Sequence, residues 1–278
     1  MSSNPKPTER LEKRLASVAR KHGIDQERLR RWVSFLALCG VLERAVREGI
    51  LGAYYLKGGV AMELRFAQRA RATRDLDLGI EGSRTSRIQT LSDVLRLGFD
   101  QFTFRLKSRI RDMEQADTVR AEVAVQYRTR SWQTIEVDLG PAKPGHIDLI
   151  DPHVQGLAEL GIPVTSPIRC LGLADQVAQK LHACTGPTAT GRARDVLDIL
   201  LIDALGELNY SETAEAARRV FDERATHAFP PVFVMPGEWR PELETMAIEL
   251  EFPIKAAATI EQRFREIIEG LDRAARGR

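Results

Sequence analysis

Asp75 and Asp77 stand two residues apart in the short apolar run Arg74-Asp75-Leu76-Asp77-Leu78. On a strand, residues two apart share a face, so both carboxylates point the same way. Like charges side by side repel, and a packed core gains nothing from them. A hard divalent cation such as Mg2+ does need them, because it is held by a few carboxylates together with the phosphate oxygens of a substrate. A further acidic position follows in Thr134-Ile135-Glu136-Val137-Asp138-Leu139. Alternation there puts Glu136 and Asp138 on one face and Ile135, Val137 and Leu139 on the other. Three carboxylates are what two-metal phosphoryl or nucleotidyl transfer uses, one ion holding the triphosphate and the other activating the attacking hydroxyl. The competing account is a half-buried strand whose acids face solvent.

Two other features carry chemistry. Gly58-Gly59 closes one apolar run and opens a helical one. Backbone N–H groups and the helix dipole favour a phosphate at such a junction; the same glycines would equally serve a tight turn that needs positive φ. Farther on, Lys180 falls one turn before the loop 186–191 and Asp195 about one turn after it. An antiparallel helix pair would bring the two alongside. They form either an inter-helix ion pair or a compact cation for a nucleotide phosphate, oriented by Asp195. His182 has no spaced partners and reads as structural, as do Cys170 and Cys184.

Three regions must position these groups. Residues 1–50 form an N-terminal helical segment, with Leu11, Leu15 and Val18 on one face and a second helix over 26–48 capped by Asp25. Arg28, Arg30 and Arg31 make the start of that helix basic, as a solvated face or an RNA-facing patch. Residues 51–160 form an α/β core, with strands at 53–56, 76–80, 102–106, 119–127 and 134–139 and helices at 60–70 and 84–98. Residues 161–278 form a C-terminal helical domain, with helices at 171–184, 193–205, 212–225, 242–251 and 256–275 and a proline-rich break at Pro230, Pro231 and Pro236.

The composition narrows the class. A chain of 278 residues with 41 Lys+Arg against 39 Asp+Glu has a net charge of +2, which excludes a polybasic nucleic-acid coat protein. Cys39, Cys170 and Cys184 are too widely separated for a disulfide framework or a zinc site. The longest apolar stretch, 32–42, is too short to span a bilayer, and the N-terminus lacks the apolar segment of a signal peptide. A cytoplasmic protein with no membrane partner is expected. With only 6% aromatic residues, any RNA would be recognised through its backbone.

Taken in order, Lys57-Gly58-Gly59, Leu64-Arg65, Arg71-x-Thr73-x-Asp75-Leu76-Asp77-Leu78, Lys180-Leu181-x-Ala183 and Arg194-Asp195-x-x-Asp198 resemble the AbiEii/AbiGii family of nucleotidyltransferase-like toxins, which includes the mycobacterial MenT toxins. The resemblance runs from about residue 10 to the C-terminal helices and includes a Trp239 after the proline-rich break. It implies an α/β (α+β) fold: a DNA polymerase β-type nucleotidyltransferase core with a mixed sheet, flanked by N-terminal helices and a C-terminal helical region that completes the active site. It further implies a toxin of a toxin–antitoxin system, a setting that includes phage defence, and Mg2+-dependent transfer of NMP from an NTP to RNA. The expected acceptor is the tRNA 3′ end, so that translation is blocked, and the expected partners are NTP, RNA and a cognate antitoxin. By motif position Asp75, Asp77, Lys180 and Asp195 are the expected catalytic residues. Asp75, Asp77 and Asp138 are the expected metal ligands, and Gly58, Gly59, Thr73, Lys180 and Arg65 the nucleotide contacts. Arg65 is open to a second use as a structural partner of a carboxylate. One departure stands out: the family usually has Ser or Thr after the double glycine, where this chain has Val60. Two other functions fit the same residues, NMP transfer to a protein or small-molecule acceptor and a non-catalytic nucleotide- or RNA-binding module. A decayed site would have lost an acid or the lysine, and Asp75, Asp77, Asp138, Lys180 and Asp195 all stand. Removing Asp75 or Lys180 is expected to abolish activity without unfolding the chain.

Overall fold

A computed structural model describes residues 7–112, 117–143, 145–152, 154, 156–187 and 189–277. The first six residues of the N-terminal segment and Thr188 of the 186–191 loop lie outside the described residues. The chain divides into two compact units, one of Met1–Gln68 and Ala72–Cys170, the other of Arg69–Arg71 and Leu171–Arg278.

The first unit opens with α1 (Pro7–His22) and α2 (Gln26–Arg47). Asp25 caps α2 by accepting from the Arg28 N–H at 2.8 Å. There follow β1 (Tyr54–Lys57), α3 (Gly58–Phe66), β2 (Asp75–Ile80), α4 (Arg84–Leu95), β3 (Phe102–Asp112), β4 (Val119–Tyr127) and β5 (Arg130–Pro141). Then come β6 (Ile147–Ile150), the single turn α5 (Leu157–Leu160) and β7 (Ile168–Leu171). The seven strands form one mixed sheet in the order β3-β4-β5-β2-β1-β7-β6. β2 runs parallel to β5 and β1 parallel to β7, while β1–β2, β3–β4 and β4–β5 are antiparallel. β4 alternates strictly: Val119, Ala121, Val123, Val125 and Tyr127 are buried, which turns Arg120 and Glu122 to the other face. The buried residues join a core built from α1, α2, α3 and the sheet, with Leu15, Trp32, Phe35, Leu36, Leu56 and Val137 wholly enclosed.

The basic start of α2 is neither a solvated face nor an outward patch at Arg28 and Arg30. Arg28 Nε donates to Glu63 at 2.7 Å, and Arg30 donates to Glu12 at 2.6 Å while its guanidinium covers the Trp132 ring. Both side chains are largely buried, at 13% and 16% exposed. α3 is shorter than the helical pattern of 60–70 suggests. It ends at Phe66, where Ala67 takes φ +50, and a single 3-10 turn, Ala67–Arg69, follows.

The second unit is helical: α6 (Leu173–Thr185), α7 (Ala193–Ala204), α8 (Tyr210–Arg224), α9 (Trp239–Glu249) and α10 (Ala257–Ala275). α6 packs on α7 and α8, and α10 packs across α7, α8 and α9. Ile199, Phe221, Trp239, Phe264 and Ile267 are among its enclosed side chains. His182 is part of this packing. Its ring lies 4.9 Å from Phe221 and 4.6 Å from His227, and its Nε2 bonds the Thr226 hydroxyl at 2.9 Å. Burial, then the nearby Arg224 and His227, pull its pKa down to about 4, so the ring is neutral at neutral pH. Cys39, Cys170 and Cys184 are buried free thiols. Among the described residues no helix is long and apolar enough to cross a membrane.

Candidate active site

In the first unit the parallel β2–β5 pairing sets the acids. Its register places Asp75 opposite Glu136 and Asp77 opposite Asp138. Leu76, Leu78, Val137 and Leu139 fill the core on the other face, so the strand period alone turns all four carboxylates one way. On the far side of β2, Lys57 of β1 stands opposite Asp77.

The first turn of α3 lies directly on these groups. A Cβ on Gly58, which has φ +64, would sit 2.0 Å from Asp77 Oδ2. A Cβ on Gly59 would sit 2.7 Å from Thr73 Oγ1. Only residues without a side chain permit this approach. The Lys57 side chain does not cap α3, and the start of the helix, the end that carries N–H groups without intrahelical partners, lies beside the acids. Thr73 Oγ1 donates to Asp75 Oδ1 at 2.7 Å, fixing that carboxylate. The Thr73 N–H in turn donates at 3.0 Å to Glu63, a buried residue of α3. Burial raises the Glu63 pKa, against the pull of the Arg28 guanidinium and the Thr73 N–H. Val60 is wholly buried in the core. Arg65 is engaged by Asp148 of β6 in an ion pair of 2.5 Å.

Arg120, like Glu63, is a residue that sequence reasoning missed. β4 carries it opposite Asp138, and its guanidinium forks onto both Asp138 oxygens, Nε to Oδ1 and Nη2 to Oδ2, each at 2.7 Å. It also reaches Glu136 and Asp75 Oδ2, both at 3.2 Å. The Asp138 hydrogen bonds raise the Arg120 pKa further above an already high value, with Coulomb attraction to Asp138, Glu136 and Asp75 adding to this. Only the register of β4 against β5 signals it. The donors here are carboxylate oxygens alone, which suits a hard divalent cation. Among the described residues no three His, Cys, Asp or Glu side chains are drawn together as a ready-made chelate.

In the second unit, Lys180 of α6 and Asp195 of α7 meet across the loop, Nζ to Oδ1 at 2.8 Å. Asp198, one turn on, accepts from the same Nζ at 2.7 Å and also pairs with Arg71 at 3.2 Å. Arg192 approaches Asp195 from the loop side at 3.4 Å. Lys180 and both acids are buried. Burial opposes the charge on Lys180, but Asp198 and Asp195 outweigh it and hold its pKa above the ordinary lysine value. For Asp195, burial works upward, and Lys180, Arg192 and Arg71 more than reverse it, leaving a lowered pKa. Both groups are therefore charged at neutral pH. Asp75, Asp77, Asp138, Thr73, Gly58 and Gly59 thus gather in the first unit, and Lys180 and Asp195 pair in the second.

Among solved structures, MenT4, a nucleotidyltransferase toxin from Mycobacterium tuberculosis H37Rv, is similar with a TM-score of 0.60 and 15% identity, over 93% of this chain and 89% of that one. Weaker likenesses, at a TM-score of 0.41, include ANT(2″)-Ia in complex with adenylyl-2″-tobramycin (18% identity, 70% of this chain, 99% of that one). Another at 0.41 is an antigenic nucleotidyltransferase-like protein from Paracoccidioides brasiliensis (16% identity, 80% and 95%). A search of curated protein sequences found no match. The family described as nucleotidyl transferase AbiEii toxin, type IV toxin–antitoxin system, matches residues 40–276, which takes in the acids, the glycine pair and the lysine. The chain belongs to the AbiEii family of nucleotidyltransferase toxins.

Proposed function

We propose that this toxin moves a nucleoside monophosphate from an NTP onto RNA, with the tRNA 3′ end as acceptor, and so blocks translation. The observation that carries the reading is the seating of the α3 first turn on Asp77 and Thr73, which puts a helix N-terminus, the end that favours phosphate, beside a face of carboxylates. Asp75 and Asp77 are the residues that would hold a divalent ion, Mg2+ in the cell, with Asp138 on the neighbouring strand. When bound, such an ion neutralises triphosphate charge and lowers the pKa of the acceptor hydroxyl. Gly58 and Gly59 donate backbone N–H groups to phosphate oxygens, and Thr73 keeps Asp75 oriented. Lys180 meets the charge that develops on the departing pyrophosphate, and Asp195 holds Lys180 charged and in place. The bond from the α-phosphorus to the acceptor oxygen forms, the bond to the pyrophosphate oxygen breaks, and the hydroxyl proton is released. Arg65, tied to Asp148, has no part in this scheme. NTP and tRNA are cytoplasmic, and there the protein acts until its cognate antitoxin counters it.

The test is incubation of the purified protein with total tRNA, Mg2+ and each NTP labelled at the α-phosphate in turn, beside Asp75→Asn. Label on RNA that vanishes in the variant is the expected result. Label on protein and none on RNA would move the acceptor to a side chain. A folded protein that labels nothing would overturn transfer altogether.

A further inference from the structure

Arg120 is the cation at the centre of the acid face. One guanidinium serves three carboxylates: Asp138 through both of its oxygens, Glu136, and Asp75 through Oδ2. The other Asp75 oxygen is occupied by the Thr73 hydroxyl. Asp138 is nearly enclosed, with 9% of its side chain exposed. A charge-assisted, two-pronged contact at that depth is the strong form of the interaction. The Asp75 oxygen that Arg120 holds belongs to the carboxylate assigned above as a metal ligand. A divalent ion bound there would stand within a few ångströms of the guanidinium, and like charges at that range repel strongly in a partly buried site.

We propose that Arg120 is an internal counter-ion that competes with the divalent metal for Asp75 and Asp138, so that loading the site requires the guanidinium to release them. This rests on the reading of Asp75 as a metal ligand. Without the metal, Arg120 offsets the repulsion among the three acids that it holds. With it, the arginine is displaced toward Glu136, which is 40% exposed and has room to receive it. Arg120 is thus a positioning residue that sets metal affinity and does not touch the nucleotide.

The test uses Mn2+ alone, with free ion read by electron paramagnetic resonance and folding checked by circular dichroism. Arg120→Gln removes the competing charge and keeps a hydrogen-bonding side chain. It should bind Mn2+ on the order of tenfold more tightly than the parent. Arg120→Lys keeps the charge without the fork, so it should fall between the two, and it alone decides should the glutamine variant not fold. A folded variant that binds Mn2+ no more tightly than the parent overturns the competition, because a merely structural arginine would alter melting and leave affinity alone. Asp75→Asn should abolish binding in both backgrounds. If it binds as well as its parent, the ligand assignment fails, and the competition with it.

Discussion

Gly58 combines φ +64 with an absent Cβ that would lie 2.0 Å from Asp77 Oδ2. Alanine there meets two penalties. The backbone conformation costs about 1 kcal/mol, and the acid must also yield. Displacing a reacting group by about 1 Å costs roughly a hundredfold in rate. Gly58→Ala should therefore melt only a little lower and yet lose about two orders of magnitude in nucleotidyl transfer; a variant that keeps full turnover would remove the close approach from the mechanism. Lys180 behaves differently. It is buried between Asp195 and Asp198, so Lys180→Met leaves two enclosed carboxylates to the longer contacts of Arg192 and Arg71 and should cost about 3 kcal/mol, contrary to the expectation that its removal spares the fold. The pH dependence follows from the shifts. The Asp195 pKa is lowered in the folded chain, so its stabilisation is present above the ordinary aspartate value and lost as pH falls through the lower folded one. The Lys180 pKa is raised, so its share is present below the ordinary lysine value and lost as pH rises through the higher one. In Lys180→Met the deficit should shrink as pH falls into the ordinary aspartate range, because Asp195 without its lysine is left to the upward pull of burial, and thermal melts across pH 4 to 8 would show it. Asp75→Asn, at a side chain 28% exposed, is the cleaner probe of chemistry.

At the scale of elements, the site depends on a relay from α2 through α3 to the turn before β2. Arg28 on α2 holds Glu63 on α3, and Glu63 holds the Thr73 N–H that precedes the acids. Arg28→Ala should destabilise by about 3–5 kcal/mol through the buried Glu63 left without its ion pair and also weaken transfer, because Glu63, the anchor of Thr73, is no longer held in place. Melting and kinetics on one preparation would show both, and a transfer rate unchanged in the folded variant would break the relay. The sequence disclosed part of this. Strand β4 was legible at its true limits because its alternation runs over nine residues. The Lys180–Asp195 contact was legible from the loop between two helices. Elements β6, α5 and β7, at four residues each, were not; β1 is as short, but Gly58-Gly59 marks its end. Arg120 and Glu63 were invisible for another reason. Their roles come from the pairing of β4 with β5 and the stacking of α3 under Thr73, and neither is a spacing along the chain.

At the scale of the whole molecule, the family match and the folding unit begin in different places. The match covers residues 40–276, and every candidate catalytic residue lies inside it. Yet Leu11, Leu15, Leu29, Trp32, Phe35 and Leu36, all ahead of residue 40, are at most 3% exposed in the core that carries the sheet. Burying one such side chain is worth about 1.5–3 kcal/mol. Six of them together rival the roughly 5–15 kcal/mol by which a domain is stable at all. Arg28 is lost with them, and Glu63 is left without its ion pair. A chain beginning at residue 40 would therefore retain every motif and fail to form the first unit. The expected outcome is insoluble protein, or a product with exposed apolar surface and no cooperative melt of the sheet, in place of a soluble but slower enzyme. Solubility, near-ultraviolet circular dichroism and transfer activity of the 40–278 product beside the full chain would check it. A soluble product with native melting would mean that α1 and α2 only cover a core that stands without them, and the relay through Arg28 would then be dispensable as well.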